Sequence, residues 1–155
     1  MAHIALNVSD VGRSRTFYKD FLGYGEPYHL DKEDGSLALT FIKINERQSI
    51  ELYPGLRPDQ DRLNHVAFYV EDAEAMRAYL ASRGVAVPDR VRRARNGTID
   101  FSVKDPEGHT VEMVQDQPDS WAAREKGNFI ADDRVSIRMP HVGFLAGDLP
   151  TAMKF

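Results

Sequence analysis

Two histidines and two glutamates recur at almost the same interval in this chain. His3 precedes Glu51 by 48 positions and His65 precedes Glu112 by 47. Two imidazoles and two carboxylates suit a divalent transition ion in octahedral coordination, with two positions left for water or substrate. A single His or Glu on the outer face of a strand is ordinarily a solvated surface residue. Here four such residues fall in register between two copies of a repeat, and that register makes a metal site the better reading. The chain has no cysteine, so thiolate sites, disulfides and cysteine nucleophiles are excluded, and any metal must be held by His, Asp or Glu.

The elements that carry these residues follow from hydrophobic periodicity. In LNHVAFYVED, Val66, Phe68 and Val70 alternate with His65, Ala67 and Tyr69, which is the period of a strand with one face in a core. HIALNVSD repeats the pattern, with Ile4, Leu6 and Val8 opposite His3, Ala5 and Asn7, and HVGFLAGD repeats it again from His141. Each opening His is followed seven residues later by Asp10, Asp72 or Asp148, and seven further on by Phe17, Tyr79 or Phe155. Self-similarity of this kind marks a repeated supersecondary unit.

The first unit, residues 2–53, reads as a strand, a helix through VGRSRTFYKDFLGY ending at Gly23, a short strand over residues 24–30, and a hairpin of SLALTFIKI and RQSIELYP. Val11, Phe17, Tyr18, Phe21 and Leu22 form the apolar stripe of its helix. The second unit, residues 63–115, has a helix capped by Asp72 with a stripe of Met76, Tyr79 and Leu80. A strand near residues 85–87, the basic loop DRVRRARNG and the strands GTIDFSVKD and GHTVEMVQD complete it. Residues 116–139 read as a polar connector with one helical piece, DSWAAREKG. Residues 140–155 begin an incomplete third unit, which is expected to continue in a longer polypeptide or to dock on a neighbour. If the two full units pair about a pseudo-two-fold axis, their first and last strands meet in a cup where His3, Glu51, His65 and Glu112 converge.

A net charge of −4 and a pI of about 5.7 give no support for nucleic-acid binding. No apolar run approaches a membrane span and no signal-peptide pattern opens the chain, so a cytoplasmic protein without nucleic-acid or membrane partners is expected.

HIALNVSDVGRSRTFYKDFLGY and DPEGHTVEMV resemble the module opening and module ending of the vicinal-oxygen-chelate superfamily, the glyoxalase, bleomycin-resistance and extradiol dioxygenase group. The resemblance implies an α+β fold in which paired βαβββ modules form a cupped mixed sheet with helices on the outside. It assigns His3, Glu51, His65 and Glu112 to the glyoxalase-type ligand positions around one divalent ion, with nickel, zinc, manganese, cobalt and iron not distinguished. It implies a small-molecule substrate with vicinal oxygens and a homodimeric assembly. The cup closes either within one chain or across two copies.

Three chemistries share these positions. A glyoxalase-like lyase or isomerase would transfer a proton at carbon through a metal-enolate mechanism, with Glu51 and Glu112 as catalytic carboxylates. The glutathione-binding pattern is absent, because Asn7 stands where an arginine is usual and Tyr53-Pro54-Gly55 where an asparagine is. An epimerase or isomerase of acyl thioesters would use the same chemistry. There Arg90, Arg92, Arg93 and Arg95 would bind a phosphate-bearing substrate, against the plainer reading of a solvated loop. An extradiol dioxygenase, or its non-catalytic N-terminal half, would hold iron(II) with His3, His65 and Glu112, but Ser102 and residues 93–95 replace its expected tyrosine and histidine. A metal-free drug or small-molecule binding module is the non-enzymatic alternative. Tyr53 and Tyr69 share the ligand face and are candidate substrate contacts. His29 is read as a surface residue, His109 as pointing to the face opposite Glu112, and Trp121 as a cover for an apolar surface.

Overall fold

The computed structural model describes residues 1–154, so Phe155, the third copy's aromatic marker, lies outside the described residues. The first module runs β1 (His3–Val8), α1 (Val11–Arg15) continuing into a π-helical stretch (Thr16–Phe21), β2 (Gly25–Asp31), β3 (Leu37–Asn45) and β4 (Gln48–Pro54). The second runs β5 (Leu63–Tyr69), α2 (Ala73–Ser82), β6 (Arg92–Arg93), β7 (Ile99–Lys104) and β8 (Thr110–Gln115). All eight strands join one curled mixed sheet in the order β2-β3-β4-β1-β5-β8-β7-β6. β1 lies parallel to β4 and β5 parallel to β8, while β1 and β5 pair antiparallel and fuse the modules.

The alternation expected from the sequence sets the two faces. Ile42, Ile44, Ile50 and Leu52 are buried against Ile4, Leu6, Val8, Tyr18 and Leu22, and Phe101 and Val103 against Met76, Leu80, Val111 and Met113. The repeated Asp residues are helix N-caps. Asp10 accepts from the Arg13 N–H, Asp72 from the Ala75 N–H and Asp148 from the Thr151 N–H.

Three local expectations change. The first helix widens to π winding, with the Leu22 N–H bonded to the Phe17 carbonyl, before Gly23 stops it in the left-handed region at φ 76°. Tyr18 and Leu22 turn inward as a result, while Phe17 and Phe21 stack on each other in solvent. Likewise Tyr79 is exposed while Met76 and Leu80 pack. Residues 85–87 form no strand. Val85 and Val87 pack beneath α2, Pro88 interrupts the run, and the short strand forms at Arg92–Arg93 instead. HVGFLAGD, residues 141–148, forms no strand either, because it runs beside the β7–β8 turn rather than along a sheet edge. There Glu107 accepts from the Gly147 and Asp148 N–H groups and Phe144 packs on His109, before the short α4 (Leu149–Ala152).

The connector wraps the first module. The buried Lys43 ammonium donates to the Glu125 and Asn128 carbonyls (2.6 and 2.9 Å) and pairs with Glu46 (3.0 Å), which satisfies its three donors. Gly25 lets the backbone pass, since a Cβ there would lie 2.3 Å from the Phe129 oxygen. The helical piece expected in the connector is α3 (Trp121–Arg124), and Trp121 packs on Phe41 and Tyr28. No helix among the described residues is long and apolar enough to cross a membrane.

Glu26 on β2 fastens the first helix to the sheet. It accepts from Arg15 (2.7 Å), Lys19 (2.8 Å) and Thr40. Burial pushes its carboxyl up, but these partners outweigh it and hold it below the ordinary value of 4.5. A depressed folded-state value contributes stability that is present above about pH 4.5 and lost as pH falls through the folded value. Glu26→Gln is expected to cost about 1–3 kcal/mol at pH 7. Urea melts at pH 7 and pH 3 should show that difference shrinking in acid.

Candidate metal centre

The strand pairings bring four chemical groups together on two rungs of the sheet with one rung between them. Across one stand Glu51, Ala5 and His65, and across the other His3, Ala67 and Glu112. Directly opposite residues share a face, so all four polar side chains project from the same side. Each histidine faces a fully buried alanine on the neighbouring strand. Those methyl groups leave room for the two rings to lean diagonally toward each other.

His3 Nε2 lies 2.9 Å from His65 Nε2 and 3.1 Å from Glu112 Oε2, and His65 Nε2 lies 3.5 Å from the same carboxylate oxygen. The donor atoms of His3, His65 and Glu112 all fall within 4.8 Å of one another, and all three residues are buried. Glu51 stands alongside, its oxygens 3.5 Å from His3 Nε2 and 3.8 Å from His65 Nε2, and it accepts a hydrogen bond of 3.0 Å from the Tyr53 hydroxyl.

The donor chemistry fits a divalent ion. His65 Nδ1 lies 2.9 Å from Asn64 Oδ1, which can only accept, so Nδ1 carries the proton and Nε2 keeps its lone pair for a metal. The 2.9 Å between the two Nε2 atoms matches the roughly 3 Å expected between adjacent ligands at metal–nitrogen bonds of about 2.1 Å. The field also favours positive charge. Burial opposes protonation of His3, yet Glu51 and Glu112 outweigh it and raise its pKa. Burial likewise opposes ionisation of Glu112, but His3 and His65 hold its carboxyl down at about 2. A field that favours the protonated form of a buried imidazole favours a cation as well.

Asn64 holds a special place in the backbone. The β1–β5 register passes from Ala5↔His65 to Leu6↔Leu63, leaving Asn64 as the extra residue of a bulge. Its amide nitrogen donates to Asn7 Oδ1 (2.9 Å), and Asn7 in turn donates to the Asp61 carbonyl (2.8 Å). The ring of His65 is thus aimed by an anchored chain of amides.

Against His3, Glu51 and Glu112 opens a cavity of about 330 Å³. Leu30, Ala38, Leu39 and Phe41 form an apolar wall, and Arg92, Arg93, Arg95, Asn96 and Asp100 a polar one. Tyr53 lines this cavity, and burial followed by the Glu51 charge pushes its phenol up. Tyr69 does not line it. It sits in a separate groove with Met1, Gln48 and Phe68, under the Arg47 guanidinium. His29 pairs with Asp31 in solvent, and His109 with Asp105.

Asp100 is a buried carboxylate that periodicity alone did not single out. Burial and the nearby Glu112 charge raise it to about 6, against the opposing pull of Arg92, which binds it through Nε (3.0 Å) and Nη2 (2.8 Å). Its signal in the sequence was its place in GTIDFSVKD, on the face of β7 that carries Ser102, the register partner of Glu112.

A curled sheet of two βαβββ modules around a two-His, one-carboxylate triad defines a class of metal-site scaffold. The chain belongs to the Glyoxalase/Bleomycin resistance protein/Dioxygenase superfamily, whose model matches residues 1–113. A probable lactoylglutathione lyase of Synechocystis sp. is 28% identical over 123 residues, covering 74% of this chain and 94% of that protein. The uncharacterized protein YaeR of Escherichia coli is 33% identical over 121 residues, covering 73% and 93%. The crystal structure of methylmalonyl-CoA epimerase from Mycobacterium tuberculosis superposes with a TM-score of 0.63 at 21% identity, covering 75% of this chain and 87% of that one.

Removing the Asn64 acceptor frees the His65 ring to rotate and change tautomer. Asn64→Ala is expected to weaken affinity for a divalent ion by about 10- to 100-fold while leaving the fold intact. Competition titration against a chromophoric chelator measures this.

Proposed function

We propose that this chain is a divalent-metal-dependent lyase or isomerase that moves a proton at a carbon next to vicinal oxygens of a small substrate. The observation that carries this reading is the second carboxylate: Glu51 stands within 3.8 Å of both histidines, beside the tight triad of His3, His65 and Glu112. The triad would hold the ion, with Glu51 as a further ligand or adjacent base, and when bound the ion supplies Lewis-acid polarisation of the substrate oxygens.

The protein groups perform the rest. Glu51 takes a proton from carbon and returns it from its position in the cavity wall beside the triad. The Tyr53 hydroxyl, donating to Glu51 Oε2, orients the carboxylate and stays protonated throughout because its pKa is raised. Glu112, held anionic by the two imidazoles, remains a ligand rather than a proton carrier. The apolar wall of Leu30, Leu39 and Phe41 receives the substrate's carbon skeleton.

The test is metal content together with proton exchange at carbon. Wild-type protein, purified without a chelating tag, is expected to bind one divalent ion per chain. In D2O it should catalyse deuterium entry into thiol adducts of 2-oxoaldehydes or into acyl thioesters, read by NMR. Glu51→Gln should retain the triad's ion and lose at least about 100-fold in exchange rate. Exchange at the wild-type rate in the variant would sink the role of Glu51, and a wild-type protein that binds no metal would leave a binding module. The grouping of two His and one carboxylate supports ring cleavage by a non-haem iron enzyme as a second reading. Oxygen uptake on catechols by the iron-loaded Glu51→Gln variant would favour it.

A further inference from the structure

Of the three arginines that line the cavity, one has no partner among the described residues. Arg92 is committed to Asp100, and Arg93 to Asp119 (2.5 Å). The Arg95 guanidinium has no ion pair or hydrogen bond among the described residues, yet Arg95 lines the same cavity as His3, Glu51 and Glu112. The loop that carries it is held from several sides. The Ala94 N–H bonds the Thr98 carbonyl (2.8 Å), the Trp121 N–H bonds the Asn96 carbonyl (2.9 Å), and the Tyr28 hydroxyl reaches the Arg95 carbonyl (3.4 Å). A held backbone that carries an exposed, unpaired guanidinium into the lining of a cavity is suited to receive an anion. The same cavity is lined by Leu30, Ala38, Leu39 and Phe41, which offer an apolar surface to the carbon spacer of a ligand whose anionic end meets Arg95.

We propose that Arg95 is a specificity-determining residue of this cavity, selecting substrates that carry a carboxylate or phosphoryl group separated by an apolar spacer from their chelating oxygens. The orientation of the substrate rests on the function proposed above; the anion subsite itself does not.

Three probes with the same chelating head separate these elements: 3,4-dihydroxybenzoate, 3,4-dihydroxyphenylphosphonate and the uncharged 3,4-dihydroxybenzamide. Calorimetric titration into anaerobic, manganese-loaded protein is expected to show at least one anion binding about five- to tenfold tighter than the amide. Arg95→Gln should erase that preference and leave amide binding unchanged. A preference confined to the phosphonate assigns a phosphoryl substrate, and one confined to the benzoate a carboxylic acid. In a second measurement on metal-free protein, benzoate and phenylphosphonate should shift the Arg95 Nε–H resonance saturably, whereas benzamide should not. If none of the dihydroxy probes binds but the resonance still shifts, the anion subsite stands and the chelation reading fails. Equal affinity of acid and amide in the wild type, equal weakening of both in Arg95→Gln, or no binding and no shift would overturn the proposal.

Discussion

The antiparallel pairing of β1 with β5 is the constraint on which everything else depends. It turns two modules into one sheet and sets Ala5 opposite His65 and His3 opposite Ala67. The parallel pairings with β4 and β8 then place Glu51 beside Ala5 and Glu112 beside Ala67. A shift of one residue in the β1–β5 pairing would send His65 and Glu112 to the face opposite His3 and Glu51. The alanines matter as much as the histidines, because two larger side chains at the centre of the cup would hold the imidazoles apart.

That geometry concentrates charge where water is scarce. Glu51, Glu112 and Asp100 are all buried, and burying carboxylates is strongly unfavourable unless they are paired. Arg92 compensates Asp100, Tyr53 donates to Glu51, and the two histidines serve Glu112. Positive charge at the histidines relieves the remaining imbalance, whether as a proton on His3 or as a bound ion. The bulge at Asn64 adds orientation, since it turns an amide out of the ladder and against the His65 ring.

Residues beyond the family match also shape the site. The superfamily model ends at residue 113, yet Trp121 packs on the cavity-lining Phe41 and its N–H anchors Asn96 in the arginine loop, while Asp119 holds Arg93. The connector therefore sets the conformation of one cavity wall. Chains that share the two modules but differ in this segment can differ in what they bind while keeping the same donor set.

Much of this was legible in the primary structure, because strand periodicity is local. Alternation in LNHVAFYVED and HIALNVSD identified the strands and the face of each histidine, and the spacing of His3 to Glu51 and His65 to Glu112 identified the two copies as equivalent. The Asp72 cap was legible for the same reason, since a cap and its helix are neighbours in sequence. What depended on partners distant in the chain was not. HVGFLAGD has the pattern of a strand but forms none, because a ladder needs a free edge beside it. Tyr69 shares a face with His65 but stands four residues along the strand, outside the cavity, and Asp100 and Arg95 reach the cavity only through the curl of the sheet and the docking of the connector. The sequence by itself determined which residues face the same way; only the tertiary structure decided which of them meet, because facing is a property of one strand and meeting depends on the register between strands.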